Sequence, residues 1–266
     1  MLMINSNQPS HQRPLIKATN LVKNFSVRDQ LVEILKDISL EVSRGQFVII
    51  IGPSGCGKST LLHTLLGLET PTSGQVFFNE SSVYEDFDDD QRSDLRKTEI
   101  GMVYQQPNWI KSLSALENVM FALRLTGFSQ EKSSSLAGAA LSRVGLENWR
   151  DYIPTELSSG QQQRVALARA IVADPSLIIA DEPTGNLDFE SGQTLMNLLK
   201  KMNQDGKTII MVTHDLEYLS YADKAFQMLD GKVVKELNNP TDFLHNHHSQ
   251  LKRGQSSQVV VEDLNQ

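Results

Sequence analysis

Gly52-Pro53-Ser54-Gly55-Cys56-Gly57-Lys58-Ser59-Thr60 combines residue types that handle phosphate. Glycines let the backbone wrap closely around a polyphosphate with several N–H groups turned inward. Lys58 adds a point charge for the outer phosphates, and the hydroxyl of Ser59 can ligate the magnesium ion that travels with them. A glycine-rich surface turn is the plain alternative, but a turn needs no particular flanks. Here an apolar run, Phe47-Val48-Ile49-Ile50-Ile51, leads in, and an apolar-periodic one, Leu61 to Leu66, leads out. Strand, glycine loop and helix in that order aim the helix's positive end at the bound anion.

Further groups share that chemistry. Asp181 and Glu182 close the apolar run Leu177-Ile178-Ile179-Ala180. An aspartate ending a hydrophobic strand holds the magnesium shell in phosphate-loop proteins. The glutamate beside it can polarise an attacking water; the bland reading is a surface charge, weakened because a second acid at a buried strand end needs compensation. His214 follows the run Thr208 to Thr213, where it reads as a γ-phosphate contact, although a lone histidine is commonly structural. Gln105, after Ile100 to Tyr104, can sense the magnesium or the water. In Leu157-Ser158-Ser159-Gly160-Gln161, Ser158 is a good N-cap for a helix whose apolar residues Val165, Ala168 and Val172 recur at helical spacing. A hydroxyl, a glycine and backbone N–H groups at a helix start make a second anion site. One chain already has one cradle, so the second is expected to cap the γ-phosphate bound by another protomer. Phe25 is a candidate platform for an adenine ring, with an ordinary packed aromatic as the alternative.

The elements that must position these residues follow from patterning. Continuous apolar runs such as Leu177 to Ala180 and Thr208 to Thr213 suit parallel strands covered on both faces, with ligands at their carboxyl ends. Leu15 to Ile51 is strand-like, Gln75 to Phe78 adds a strand, and the phosphate-loop helix is expected to run to about Glu69. Asp88-Asp89-Asp90 reads as the N-terminus of a helix over Gln91 to Lys97, with a metal site as the lesser alternative. Helices are expected over Leu113 to Leu125 and Leu136 to Leu146, within a helical segment of about 108–173. Residues 1–14 read as a disordered lead-in, 15–238 as one ATP-binding domain, and 239–266 as a polar tail whose His245, His247 and His248 are better read as solvated than as metal ligands. The 266 residues carry a net charge of −7, which argues against nucleic acid, and one cysteine, which excludes an intrachain disulfide. No apolar run reaches the ~18 residues of a membrane span. The expectation is a cytoplasmic chain, with any spanning done by another polypeptide.

Taken in order, Gly52 to Thr60, Gln105, Leu157 to Gln161, Leu177 to Glu182, Asp188 and His214 resemble the ATP-binding subunit of an ABC transporter, over about residues 15 to 235. The resemblance implies an α/β P-loop NTPase fold: a RecA-like core with an antiparallel β subdomain and an α-helical subdomain. It implies ATP and Mg2+ as cofactors and two subunits, a homodimer, clasping two ATP molecules head to tail. Lys58 and Ser59 would hold phosphate and magnesium, Asp181 the magnesium shell, and Glu182 would be the catalytic base. Gln105 and His214 would contact the γ-phosphate, Phe25 would stack on adenine, and Asp188 would communicate between the sites. It also implies an integral membrane permease on a separate chain, hence a peripheral place on the cytoplasmic face of the inner (plasma) membrane.

Pro183-Thr184-Gly185-Asn186-Leu187-Asp188 with Leu116-Glu117-Asn118-Val119 is similar to the lipoprotein-release, macrolide-efflux, antimicrobial-peptide-resistance and cell-division ATPases. A transport motor and a nucleotide-dependent membrane tether or mechanotransmission ATPase are therefore the two readings carried forward. An ABC-type ATPase acting on DNA or ribosomes fits less well, lacking a long coiled coil or tandem ATP domains. Two positions depart from the family pattern. Phe25 stands where tyrosine is common, a mild change that keeps the stacking face. Ser159 stands where glycine is usual, which would slow turnover if that position needs a positive φ. Pro107, Asn108 and Trp109 are expected to line a groove for a permease helix, since an exposed tryptophan asks for a partner.

Overall fold

The computed structural model describes residues 13–28 and 30–241. The lead-in before Arg13, most of the expected tail and the three tail histidines lie outside the described residues. Two sheets organise the rest. In the smaller one β1 (Pro14–Val27) and β2 (Gln30–Ser43) form a long antiparallel hairpin, joined by β4 (Ser73–Phe78) and β5 (Ser81–Ser82) in the order β2-β1-β4-β5. The larger contains β3 (Phe47–Ile51), β6 (Ile100–Tyr104), β7 (Leu177–Asp181), β8 (Thr208–Thr213), β9 (Lys224–Leu229) and β10 (Lys232–Asn238), ordered β10-β9-β3-β8-β7-β6. Its strands are parallel except β10, which returns antiparallel to β9.

Parallel strands buried on both faces explain the unbroken apolar runs. Alternate residues serve different cores. Phe47, Ile49 and Ile51, with Ile178 and Met211, pack under the helices α3 (Ala115–Arg124), α4 (Gln130–Arg143), α5 (Ser159–Ile171) and α6 (Phe189–Gln204). Val48 and Ile50, with Ile179 and Val212, face the opposite way, onto Leu61, Leu62 and Leu65 of α1 (Lys58–Leu65) and the antiparallel sheet. A further helix, α2 (Asp89–Thr98), has no fully buried residue and touches this second core only through Leu95.

Helix ends differ from expectation in instructive ways. α1 stops at Leu65, short of Glu69, because Gly67 adopts a left-handed φ of 68°. α4 begins six residues before Leu136: Ser129 caps it by accepting from the Lys132 amide, and the polar stretch that follows hid the start. The acidic triplet is the start of α2, where Asp88 forms a reciprocal capping box with Gln91.

Candidate active site

The phosphate-loop residues sit between β3 and α1 with no intervening segment. Glycine is required at two points. A methyl group on Gly52 would lie 2.4 Å from the carbonyl oxygen of Met228, and Gly57 caps α1 at φ 102°, a region that L-residues avoid. Lys58 is buried, 5 % exposed, and its ammonium donates to the carbonyls of Gly52 and Pro53 at 2.9 and 3.0 Å. The loop is tied from outside by the Gly231 amide, which donates to the carbonyl of Cys56. Cys56 is 6 % exposed and burial pushes its thiol up, so it is a small filler.

Register brings the other groups to the same edge. Ile51 pairs with Thr213, Asp181 with Val212, and Tyr104 with Asp181, so 181–182, 214 and 105 all follow neighbouring strand ends. Glu182 Oε1 is 3.9 Å from the Lys58 ammonium, and its Oε2 is 3.4 Å from His214 Nδ1. Its backbone is left-handed, φ 45°, which costs a non-glycine residue about 1–2 kcal/mol. The bond from its amide to the Val212 carbonyl, at 2.9 Å, and the Gly185 amide donating to its own carbonyl at 3.1 Å hold it there. The carboxylate is therefore aimed by a strained turn, a feature no sequence pattern announced.

Asp181 has its pKa raised, first by burial and then by the charge of Glu182; the Ser59 hydroxyl donates to it and opposes the rise. Two half-buried carboxylates and a hydroxyl converging in this way are oxygen donors suited to a hard cation with phosphate oxygens and waters completing its shell. The Gln105 amide lies over Gly185, where a methyl group would stand 2.7 Å from its Nε2.

Phe25 lies half-buried on β1, opposite Val32 on β2. Val32 faces Phe25 across the hairpin; two residues on, where the register breaks between Glu33 and Leu35, Ile34 passes beside Gly57, whose added methyl would meet the Ile34 carbonyl at 3.0 Å. Sequence reading passed over both residues, whose nearness to Phe25 and to the phosphate loop appears only once the hairpin is paired. Lys23 stands 4.8 Å from the Phe25 ring centroid, so the ring also has a cation neighbour.

Residues 158–161 are not part of this cluster. Ser158 caps α5, its Oγ accepting from the Gln161 amide while Gln161 Oε1 accepts from the Ser158 amide. The amides of Ser159 and Gly160, at the first turn, have no acceptor inside the helix. The turn borders a cleft of about 180 Å3 shared with Glu190, Ser191 and Thr194 of α6. Gly160 allows that closeness, since a methyl there would be 2.6 Å from Ser191 Oγ. Asp188 caps α6, accepting from the amide and hydroxyl of Ser191 at 2.8 and 2.9 Å, which holds its carboxyl below the usual range. Ser159 is the first residue of α5 and has no positive φ, so the strain expected from serine at this position does not arise.

Trp109 corrects another expectation. It is half-buried and packed against the helical core, with Nε1 donating to Gln162 Oε1 at 3.3 Å and the Arg169 guanidinium 5.0 Å from its ring. Asn108, Tyr104, Phe121, Leu125 and Arg169 border a separate groove of about 350 Å3 instead. Phe121 and Leu125 are 43 % and 59 % exposed there.

The family described as ABC transporter matches residues 35–185. An uncharacterized ABC transporter ATP-binding protein, MJ1508 of Methanocaldococcus jannaschii, is 42 % identical over 224 residues, 84 % of this chain and all of that one. The lipoprotein-releasing system ATP-binding protein LolD of Saccharophagus degradans is 39 % identical, covering 84 % of this chain and 98 % of its own length. The macrolide export ATP-binding/permease protein MacB of Syntrophobacter fumaroxidans is 42 % identical, but this chain matches only 31 % of it. Among solved structures, the dimeric post-hydrolysis state of the ATP-binding cassette MJ0796 bound to ADP and Pi is similar, with a TM-score of 0.78 and 39 % identity over 84 % of this chain and 98 % of that one.

Proposed function

This chain belongs to the ABC transporter family of ATP-binding proteins, and from that premise we propose that it binds and hydrolyses ATP to energise a membrane permease of the lipoprotein-release or macrolide-efflux type on a separate chain. The observation carrying this is the convergence of Lys58, Asp181 with Ser59, Glu182 and His214 on adjoining strand ends. Among the described residues no helix is long and apolar enough to cross a membrane, which fits a peripheral subunit on the cytoplasmic face of the inner membrane.

In this reading the loop 52–57 and Lys58 hold the phosphates, and Phe25, Val32 and Ile34 take the adenine by stacking and apolar contact. Ser59 and Asp181, with Gln105, would hold Mg2+, which supplies charge neutralisation for the transferred phosphoryl group. Glu182 orients the attacking water and accepts its proton; His214, 3.4 Å away, fixes that carboxylate and faces the γ-phosphate. Ser158 to Gln161 close over the triphosphate of a second copy. The groove bordered by Phe121 and Leu125 is where a permease helix would dock, with Trp109 bracing its wall from behind.

The test is ATP turnover by the isolated chain and by the chain with its co-purified membrane partner. Stimulation by that partner supports the motor. Nucleotide-dependent membrane recruitment with unchanged turnover would favour the tether instead.

A further inference from the structure

β6 is an edge strand of the large sheet, and α5 lies along it so closely that a methyl group on Gly101 would come within 2.2 Å of the Ala170 carbonyl oxygen. At the end of the strand the Tyr104 carbonyl accepts from Nε2 of Gln163 at 2.7 Å. Gln163 is 3 % exposed, on the buried side of the helix. Past Gln105 the same helix grips the chain again: Arg169 donates to the Asn108 carbonyl at 2.8 Å, and Gln162 accepts from Trp109. Gln162 also donates to the carbonyl of Leu157, the residue before the Ser158 cap, at 3.0 Å. One helix therefore holds the backbone on both sides of Gln105 and carries residues 158–161 at its own tip.

Apolar packing alone would join a helix to an edge strand. A buried amide placed on the carbonyl one residue before Gln105 does something more specific, because it fixes the peptide from which Gln105 projects. We infer that Gln163 is a positioning residue for hydrolysis, acting on Gln105 through the Tyr104 carbonyl and setting Gln105 in register with the helix that carries Ser158. This rests on the assignment of Gln105 to the reacting phosphate made above. Methionine at 163 would fill the same space and donate nothing, leaving the Tyr104 carbonyl free to swing and the Gln105 amide to sample unproductive positions. Nucleotide affinity, set at the phosphate loop and the Phe25 platform, is untouched by that loss.

The experiment is steady-state ATP turnover by the full chain in four forms: parent, Gln105→Ala, Gln163→Met and the double variant. Gln105→Ala should lower kcat about tenfold or more, as removal of a transition-state contact does. Gln163→Met should lower kcat about fivefold with KM for ATP within about twofold, and should add nothing in the Gln105→Ala background. A merely structural role would instead give losses that multiply, or a KM that rises with kcat; either overturns the inference. Full activity in Gln163→Met with the Gln105→Ala loss intact also overturns it, and leaves the site assignment standing. No loss in Gln105→Ala removes both. If Gln163→Met does not fold, Gln163→Asn, whose amide is one methylene too short to reach the carbonyl, must give the same kcat loss, and parent-like turnover in it overturns the inference.

Discussion

Glu182 follows the end of β7 in a left-handed conformation. Its left-handed backbone carries a cost, and its carboxylate stands between the Lys58 ammonium and the His214 imidazole. Glutamine keeps the shape and the strained turn but cannot accept a proton. Glu182→Gln is therefore expected to lower kcat about 10²–10³-fold while retaining nucleotide, measured by single-turnover hydrolysis and by nucleotide content after gel filtration. Rapid turnover in that variant removes Glu182 from the base role. Ser159 carries the opposite lesson. As the first residue of α5 without a positive φ, it gains nothing from glycine. Ser159→Gly should leave kcat within about twofold and lower stability by about 0.5 kcal/mol in chemical denaturation. A large rise in turnover would show that the serine side chain itself obstructs closure.

Among elements, β6 and α5 lie so close that Gly101 leaves no room for a methyl group beside the Ala170 carbonyl. Backbone cannot yield as a flexible side chain can, so Gly101→Ala must separate strand and helix. It should cost about 3 kcal/mol in urea unfolding, as overpacking a dense contact does. A change below about 1 kcal/mol would mean the pair separates freely, and with it the grip on Gln105. This contact was invisible in the sequence, where Gly101 is one more glycine in a strand. What was legible had strong local causes: β3, β7 and β8 announce themselves by runs of consecutive apolar residues, and Ser158 by its place as an N-cap ahead of helically spaced apolar residues. α4 was misplaced because its first turns, Gln130 to Ser135, are polar, and the buried Ser133 looks like surface. Trp109 was read as exposed because chain order says nothing about the Arg169 and Gln162 that draw it inward. Val32 and Ile34 were passed over for the same reason: their place beside Phe25 and Gly57 depends on neighbours distant in the chain.

The whole molecule poses a problem that one copy does not solve. The anion-ready helix start at Ser158 borders a cleft with α6, while Lys58, Asp181 and Glu182 gather at the ends of β3 and β7. A two-fold arrangement in which each copy offers its signature turn to the other's phosphate loop satisfies both surfaces at once, and closed symmetry limits it to a pair. Complementation tests that geometry directly. Lys58→Ala removes the phosphate grip of one copy; Ser158→Arg blocks the signature turn of another. Each variant alone has no intact composite site. In an equimolar mixture about half of the pairs are mixed, and each mixed pair joins the good phosphate loop of one chain to the good turn of the other. With independent sites that restores about a quarter of parental turnover. If both elements served the same chain, every copy would still carry a defect and the mixture would stay as inactive as its components. The Ser158→Arg chain must be shown to bind nucleotide and to unfold normally before mixing, because its cap is lost along with its turn.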